Sequence, residues 1–356
     1  MDGRVRGSLP FVGMTTVVLV QASNMVVTKM AMDEGNDKCI LAFCSNALST
    51  LVLLPCPFII SRRSGSCPPL TFSVLRNMFL IALIGLACQM CDYVGMEQSS
   101  PVLGMAMMNL IPAFTFILAI ILRMEKVNWK SASSQAELVG SIASILGAFI
   151  VTFYKGPSIF PQPSPPLSVP PRHHNWIFGG FLLVAEAFLT SLSYIGQAFI
   201  LKDYPVVLNL MFYSMFFSTI LSGLLSFVIV REEPRLWIPK VNIGLTAILY
   251  SALVDGVFKA TLCMWCLKKT GPVYVSMFKP LGIVFAVGLG FKILREKLHL
   301  GSLIGAVVIV MGFCGVVWGK AKEEEEKTIE GSSRVGESLA SSGDKIPLLQ
   351  SRGSSV

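Results

Sequence analysis

The segment GPVYVSMFKPLG, residues 271–282, places Lys279 directly before Pro280 in the middle of a long apolar run. Proline has no amide hydrogen and clashes with the carbonyl four residues earlier, so a helix here should bend or unwind near Ser276. A broken helix and a cation are tolerated in hydrocarbon only where they line protein or water. The segment therefore predicts a polar cavity inside a membrane protein.

The composition is that of an integral membrane protein. Of the 356 residues, 53% are hydrophobic and 14% are charged, and the mean hydropathy is +0.67. Apolar stretches of about 20 residues, the length that crosses a bilayer as a helix, recur ten times. They lie near residues 9–31, 39–60, 74–96, 101–123, 136–154, 176–201, 206–230, 243–267, 272–294 and 299–318. We predict an all-α membrane protein with ten transmembrane helices.

The formal charge of +8 reflects topology rather than nucleic-acid binding, because the basic residues lie in short loops and form no single stripe. Fourteen lysines and arginines fall in the amino-terminal tail, the even-numbered loops and the segment after the last span, against eight in the odd-numbered loops. This bias predicts that both termini are cytosolic.

A proline-rich segment, residues 155–175, divides the spans into two sets of five and is expected to form an extended linker. We predict a cytosolic amino terminus over 1–8 and five-helix units over 9–154 and 176–319. A disordered cytosolic tail is expected over 320–356, which is acidic and then rich in serine and glycine.

The two halves repeat each other in sequence. The fourth span begins PVLGMAMM at Pro101 and the ninth begins PVYVSMFK at Pro272. Each reaches a Glu-Lys pair after the same interval of 24 residues, at Glu125 and Glu296.

The fifth and tenth spans also match. LVGSIASILGAFIVTFYK aligns with LIGAVVIVMGFCGVVWGK, so that Gly140 corresponds to Gly305 and Gly147 to Gly312. Because each half has an odd number of spans, the second half must enter the membrane from the opposite side. We therefore predict two inverted-topology repeats around a central cavity, the geometry that supports alternating access.

Nine cysteines include two CxxC pairs, Cys88 with Cys91 and Cys263 with Cys266. Such pairs can serve redox chemistry or metal binding. Within apolar spans, small polarizable packing residues are the favoured interpretation. We expect no metal site and no cofactor.

Several sequence blocks together resemble a plant branch of the drug/metabolite transporter superfamily with two EamA domains, the nodulin-like or walls-are-thin-related (usually-multiple-acids-move-in-and-out) transporters. The blocks are NLIPAFTFILAIILRMEKV (109–127), VTFYKGP (151–157), YPVVLNLMFY (204–213), KKTGPVYVSMFKPL (268–281), EKLHLGSLIGAVVIVMGF (296–313) and VWGKAKE (317–323).

This resemblance covers about residues 9–323 and implies ten helices in two EamA-like repeats. It also implies transport of small organic solutes such as amino acids and auxin-like compounds. The chain departs from the family pattern in the eighth span, where Asp255 and Lys259 replace small or neutral residues.

Five ionisable residues of the predicted spans are candidates for facing a cavity: Asp92, Glu186, Asp255, Lys259 and Lys279. Lys29 and Lys292 lie nearer the span ends and could extend to the membrane interface instead. Each Asp or Lys at a helix centre costs about 2.5–3.5 kcal/mol on insertion, so such groups usually face a cavity or a partner. Asp255 and Lys259 are four residues apart and can pair on one helix face, although Asp255 could instead pair with Lys279. The pair is either an internal salt bridge that makes the span insertable, or one that opens for a substrate carboxylate or a proton.

Glu186 has no charged partner within one turn of its own helix. It therefore needs a partner on another helix or a neutral, hydrogen-bonded form, and a protonatable carboxyl beside a cavity is what proton coupling would require. Asp92 lies near the end of its span and is expected at the membrane interface.

Lys279 is the leading candidate for binding a substrate carboxylate, with Lys259 second. The fourth span repeats the helix break with Asn109 and Pro112, as two broken helices flanking one midplane site would. The alternative for Pro112 and Pro280 is a kink used only for helix packing, and for Lys279 a buried ion pair.

Four further side chains are candidates for contacting an amphipathic solute. They are Tyr194, Tyr274, Trp265 and Gln197. Most tyrosines and tryptophans in membrane proteins are interfacial or packed in the core, and Gln197 could equally bond a neighbouring helix.

The tail contains DKIPLL, in which Asp344 precedes Leu348 and Leu349 with the acidic-dileucine spacing read by trafficking adaptors. We predict a multi-pass protein of the plasma or vacuolar membrane. Its expected partners are lipid, a small-molecule substrate and an adaptor at the tail, and a homodimer is an open alternative.

The sequence as a whole predicts a transporter or facilitator of small carboxylate-bearing solutes. The alternative from another class is a membrane receptor or scaffold that retains the fold without transport. An enzyme is not favoured, because the chain has no phosphate loop, nucleophile elbow or metal cluster.

Overall fold

A computed structural model describes residues 2–57, 59, 71–99, 101–124, 131–154, 157, 176–230, 243–289, 300–301, 303–319 and 322. All of the regular structure within these ranges is helical. The predicted linker, apart from Pro157, and the acidic-dileucine residues of the tail lie outside the described residues.

The helices of the described residues are numbered here in chain order. They are α1 (Asp2–Asp33), α2 (Lys38–Leu53), α3 (Phe72–Gln98), α4 (Pro101–Met107), α5 (Ile111–Ile121), α6 (Ala132–Phe153), α7 (Trp176–Asp203), α8 (Val207–Ile229), α9 (Ile243–Tyr250), α10 (Ala260–Thr270), α11 (Pro272–Met277), α12 (Leu281–Leu289) and α13 (Leu303–Gly319). A 3₁₀ turn, Met108–Leu110, joins α4 to α5, and a π-helical stretch, Ser251–Lys259, joins α9 to α10.

Seven stretches of the described chain are long and apolar enough to cross a membrane. They are Leu9–Asp33, Lys38–Pro57, Phe72–Gln98, Leu103–Ile121, Ile177–Asp203, Val207–Ile229 and Ile243–Thr270. The other three predicted spans fall on α6 and on the shorter apolar helices Pro272–Phe285 and Leu303–Gly319. An all-helical, multi-pass membrane protein is thus confirmed, while the ten-span, two-repeat arrangement remains a prediction.

The outer surface is apolar, as lipid contact requires. Phe72 and Ile177 are each 79% exposed and Val228 is 73% exposed. Many other large apolar side chains of the spans are exposed as well, and apolar surface of that extent is unusual on a soluble monomer. Many polar side chains of the spans face the interior instead, where they line the cavity described below.

Local sequence signals explain where several helices begin and end. The Asp37 side chain caps α2 by accepting hydrogen bonds from the backbone amides of Cys39 (2.8 Å) and Ile40 (3.3 Å). Gly271 adopts φ +87° at the end of α10, and Pro272 then starts α11.

The fourth and ninth predicted spans are both interrupted near a proline. The 3₁₀ turn precedes Pro112, which lies in the first turn of α5, where its missing amide is tolerated. Residues Phe278–Pro280 form the turn between α11 and α12. There the backbone amide of Lys279 donates to the Ser276 carbonyl at 3.0 Å. The main chain therefore satisfies that carbonyl, and the Lys279 side chain extends into the cavity described below.

The packing of α6 on α13 links the two predicted repeats. A Cβ on Gly140 would lie 2.5 Å from the Gly312 carbonyl oxygen, and one on Gly147 would lie 3.0 Å from the Gly305 carbonyl oxygen. Such close approach requires glycine. In the sequence alignment Gly140 corresponds to Gly305 and Gly147 to Gly312, so each glycine contacts the counterpart of the other. Reciprocal contacts of this kind are what a two-fold axis produces.

Candidate functional site

A cavity of about 300 Å³ lies among α1, α2, α3, α7, α8 and the π-helical stretch. Its polar wall includes Gln21, Asn24, Ser45, Asn46, Ser49, Gln89, Thr190, Ser193, Ser218 and Ser251. The five ionisable side chains singled out in the sequence, Asp92, Glu186, Asp255, Lys259 and Lys279, all line this one cavity. Asp92, which we expected at the membrane interface, is among them.

Lys279 is 3% exposed and reaches into the cavity from the turn between α11 and α12. Its Nζ donates a hydrogen bond to Oε1 of Gln21 on α1 and lies 5.6 Å from the centroid of the Tyr194 ring. An ammonium group carries three donors and no acceptor. The lysine is therefore held by one amide and one aromatic face, in a place where an anion can approach it.

Gln21 connects the two interrupted helices across the cavity. Its Nε2 lies 3.1 Å from Sδ of Met108, in the 3₁₀ turn, while its Oε1 accepts the bond from Lys279. This residue was not among those predicted from the sequence. The available signal was a pair of amides three residues apart, Gln21 and Asn24, in the middle of the first apolar span.

Asp255 pairs with Lys259, with 2.6 Å between Oδ1 and Nζ. The side chains are 21% and 19% exposed, respectively. The pair lies on the π-helical stretch, which the sequence did not reveal. π-Helical turns are rare and are frequent at functional sites.

The α2 helix holds the π-helical stretch in place. The hydroxyl of Ser49 donates to the Ala252 carbonyl at 3.0 Å, and a Cβ on Gly256 would overlap the Ser49 hydroxyl oxygen. A methyl group at position 256 would therefore displace the Ser49 hydroxyl from its hydrogen bond to the Ala252 carbonyl.

Glu186 is 2% exposed and faces the cavity from α7. Its Oε1 accepts a hydrogen bond from Thr190 Oγ1 at 3.3 Å and lies 3.8 Å from the Cys88 thiol. Within the described part of the chain, its Oε2 and Oδ1 of Asp92 have no hydrogen-bond partner. Burying a charged acceptor without a donor is costly, so these carboxyl groups call for water, a proton or a cationic ligand.

Other polar groups of the wall are tied to one another. Asn46 donates to Gln89 Oε1 at 3.1 Å, and Gln89 donates to the Tyr93 hydroxyl at 3.2 Å. On the opposite side the Ser251 hydroxyl donates to Asn24 Oδ1 at 2.7 Å. These residues were not predicted, because isolated amides and serines in apolar spans carry no distinctive spacing.

Of the next three candidates for substrate contact, one lines the cavity and two do not. Tyr194 lines the cavity, whereas Asn109 and Gln197 are not among its lining residues. Asn109 is buried, and its Nδ2 lies 3.4 Å from the Met105 carbonyl. Gln197 donates to the Ser193 hydroxyl at 3.1 Å.

Two aromatic candidates also lie away from the cavity. The ring of Tyr274 packs against Phe278 with centroids 5.2 Å apart. Trp265 lines a separate groove near the end of α10. In the described residues, no group of three or more His, Cys, Asp or Glu side chains has the arrangement of a metal site.

Comparison with known proteins identifies the family. Residues 177–318 match the model of the EamA-like transporter family. The chain is 38% identical over 349 residues to WAT1-related protein At3g28050 of Arabidopsis thaliana, an alignment that covers 95% of both chains. It is 37% identical over 329 residues to WAT1-related protein At3g28100 of the same plant, which covers 90% of both.

A solved structure described only as the crystal structure of a protein shares the fold. It superposes with a TM-score of 0.61 at 14% sequence identity, covering 87% of this chain and 98% of its own. At that identity the likeness concerns the fold alone. The near-complete alignments with the plant proteins go further, and the chain belongs to the WAT1-related, EamA-like transporters of the drug/metabolite transporter superfamily.

Proposed function

We propose that this chain carries small carboxylate-bearing solutes, amino acids or auxin-like carboxylates, across the membrane by alternating access, with the solute bound in the central cavity. The observation that carries the proposal is the convergence of five ionisable side chains from four parts of the fold on one cavity of about 300 Å³. That volume is at the lower end of the range of small-molecule sites, about 300–1,000 Å³.

Lys279 is the first contact of the substrate carboxylate in this proposal. It is the buried cation of the cavity that is held by a neutral amide rather than by an acid. A carboxylate that approaches it gains a charge-assisted hydrogen bond without having to displace an anionic partner. Lys259 becomes available only when its bond to Asp255 opens, so it serves as the second contact.

The inverted repeat supplies the motion. Two helices interrupted near the cavity, together with the reciprocal glycine contacts of α6 and α13, support two related bundles that exchange conformations around a fixed site. Gln21, which touches both interruptions, would sense their relative movement.

Proton coupling is the finer hypothesis, and it rests on Glu186. This carboxyl is buried beside the cavity with one oxygen lacking a partner among the described residues. A group so placed can take up a proton in one conformation and release it in the other. Imposing a pH gradient should change the initial rate of uptake by the unmodified protein, and Glu186→Gln should abolish that response.

The test of transport is solute flux in liposomes that contain the purified full-length chain. We expect saturable uptake of labelled amino acids or indole carboxylates, and a loss of uptake in Lys279→Gln. The matched control is Lys29→Gln, which removes a lysine that is also inside a span but bonds the Met96 carbonyl and Asp33 outside the cavity. If uptake is unchanged in Lys279→Gln, this lysine does not bind the substrate. If the unmodified protein takes up none of the tested solutes, a receptor or scaffold is favoured.

We further propose that both termini are cytosolic and that the protein resides in the plasma or vacuolar membrane. The support is the distribution of lysine and arginine between loops and the acidic-dileucine pattern of the tail. Protease protection of a fluorescent tag placed on one terminus or the other tests the orientation. Microscopy of the tagged chain, with and without Leu348→Ala/Leu349→Ala, tests the membrane.

A further inference from the structure

A second, larger recess lies outside the central cavity. It is a groove of about 1020 Å³ between the end of α2, the start of α8 and the face of the π-helical stretch and α10. Most of its lining is apolar, including Val52, Leu53, Phe258 and Leu262. Phe258 is 50% exposed and Val52 is 37% exposed, so the groove opens on the surface of the protein.

One end of the groove is basic and aromatic. Lys268 and Lys269, in the last turn of α10, both line it, together with Trp265. Lys269 Nζ lies 6.0 Å from the Trp265 ring centroid, and Lys268 donates to the Pro205 carbonyl at 2.6 Å. The lysines therefore mark the end of the span, where a tryptophan is typical of the membrane interface.

A smaller recess of about 300 Å³ continues the basic end. Lys268 lines this recess as well, together with Lys202 at the end of α7. The acid nearest in sequence is Asp203, which is exposed next to Lys202. Three lysines thus surround two adjoining recesses, and the local charge is positive.

We propose that the groove binds an anionic phospholipid, with an acyl chain along the apolar lining and the headgroup phosphate on Lys268 and Lys269. An apolar channel with cations at one end matches a lipid in both parts, because its chain needs a dry surface and its headgroup needs positive charge at the interface. Basic pockets between transmembrane helices on the cytosolic side bind such headgroups. The cytosolic leaflet holds the anionic lipids, and the loop between α10 and α11 is on that side in the proposed orientation.

This site is independent of the transport site. The groove and the central cavity share no lining residue. Lipid binding is measured without any solute, so it can succeed or fail whatever the outcome of the flux experiment.

The test is native mass spectrometry of the purified full-length chain, titrated with phosphatidylserine or with phosphatidylcholine. We expect preferential binding of phosphatidylserine. Each of Lys268→Gln and Lys269→Gln should weaken it about fivefold, and the double variant about 25-fold, with phosphatidylcholine binding unchanged. Lys322→Gln is the matched control, because Lys322 Nζ also lies over a tryptophan ring, at 5.3 Å from that of Trp318, outside this groove.

A groove-filling variant, Thr261→Trp, should lower the binding of both lipids, since Thr261 lines the apolar part. The melting temperature of each variant without added lipid verifies that it is folded. Equal binding of the two lipids by the unmodified protein would overturn the proposal. So would full phosphatidylserine binding by the double lysine variant, or a loss in Lys322→Gln as large as in Lys268→Gln.

Discussion

Removing the positive member of the Asp255–Lys259 pair separates a structural role from a transport role. Lys259→Gln leaves the Asp255 carboxylate without its partner at 2.6 Å. Breaking a buried pair costs about 3–5 kcal/mol. Because each side chain is about a fifth exposed toward the cavity, we expect the lower end, a loss of about 3 kcal/mol in the free energy of unfolding.

The double variant Asp255→Asn/Lys259→Gln removes both charges together. Replacing a buried pair as a unit is often neutral, so its stability should return to within about 1 kcal/mol of the unmodified protein, a strongly non-additive result. Unfolding in mixed micelles measures this cycle, with Asp255→Asn as its fourth member.

Measuring solute flux through these variants distinguishes a substrate-binding role of Lys259 from a purely structural ion pair. If Lys259 bonds the substrate carboxylate, the double variant regains stability but not transport. The loss of one charge-assisted hydrogen bond, about 1.5–3 kcal/mol, would lower uptake at subsaturating solute by about 10- to 150-fold. A double variant that is stable and transports normally would refute this reasoning and leave the pair as an internal salt bridge. Additive losses of stability would refute the geometry itself.

Two glycine contacts and one ion pair give further predictions. Gly140→Ala should lower the free energy of unfolding by about 1–3 kcal/mol, because its Cβ would meet backbone atoms of α13. In the control, Gly180→Ala, the new Cβ has no heavy atom within 4 Å, so the free energy of unfolding should rise by about 0.5–1 kcal/mol. Equal melting temperatures for the two variants would contradict the close contact at Gly140. Gly256→Ala should lower both the melting temperature and the solute flux, because the new Cβ would overlap the Ser49 hydroxyl. Adding Ser49→Ala removes that hydroxyl and should restore both quantities in part. If it restores neither, the Ser49 hydroxyl is not the cause of the loss. Glu97→Gln removes the ion pair between Glu97 Oε2 and Lys38 Nζ, whose side chains are about a third exposed. This variant should change the free energy of unfolding by less than about 1 kcal/mol. A larger loss would mean that the pair is shielded from water.

Prediction from sequence succeeded where a property is local. The break before Pro280 follows from a missing amide, and the Asp255–Lys259 pair follows from a separation of four residues on one helix. Gln21 and Asp92 could not be placed in the same way. The residues around them in the sequence do not predict which face of the helix is turned toward the cavity.

The sequence by itself determined that this is a helical membrane protein, because an apolar run of span length must form a helix wherever water is absent to satisfy the backbone. It also determined the family, through matches spread over nearly the whole chain. Only the tertiary structure decided that five ionisable side chains meet in one cavity and that Gln21 joins the two interrupted helices. It also decided that a π-helical stretch carries the ion pair. Those arrangements depend on how helices distant in sequence rotate and pack against one another, and packing is decided by the whole bundle rather than by any one segment.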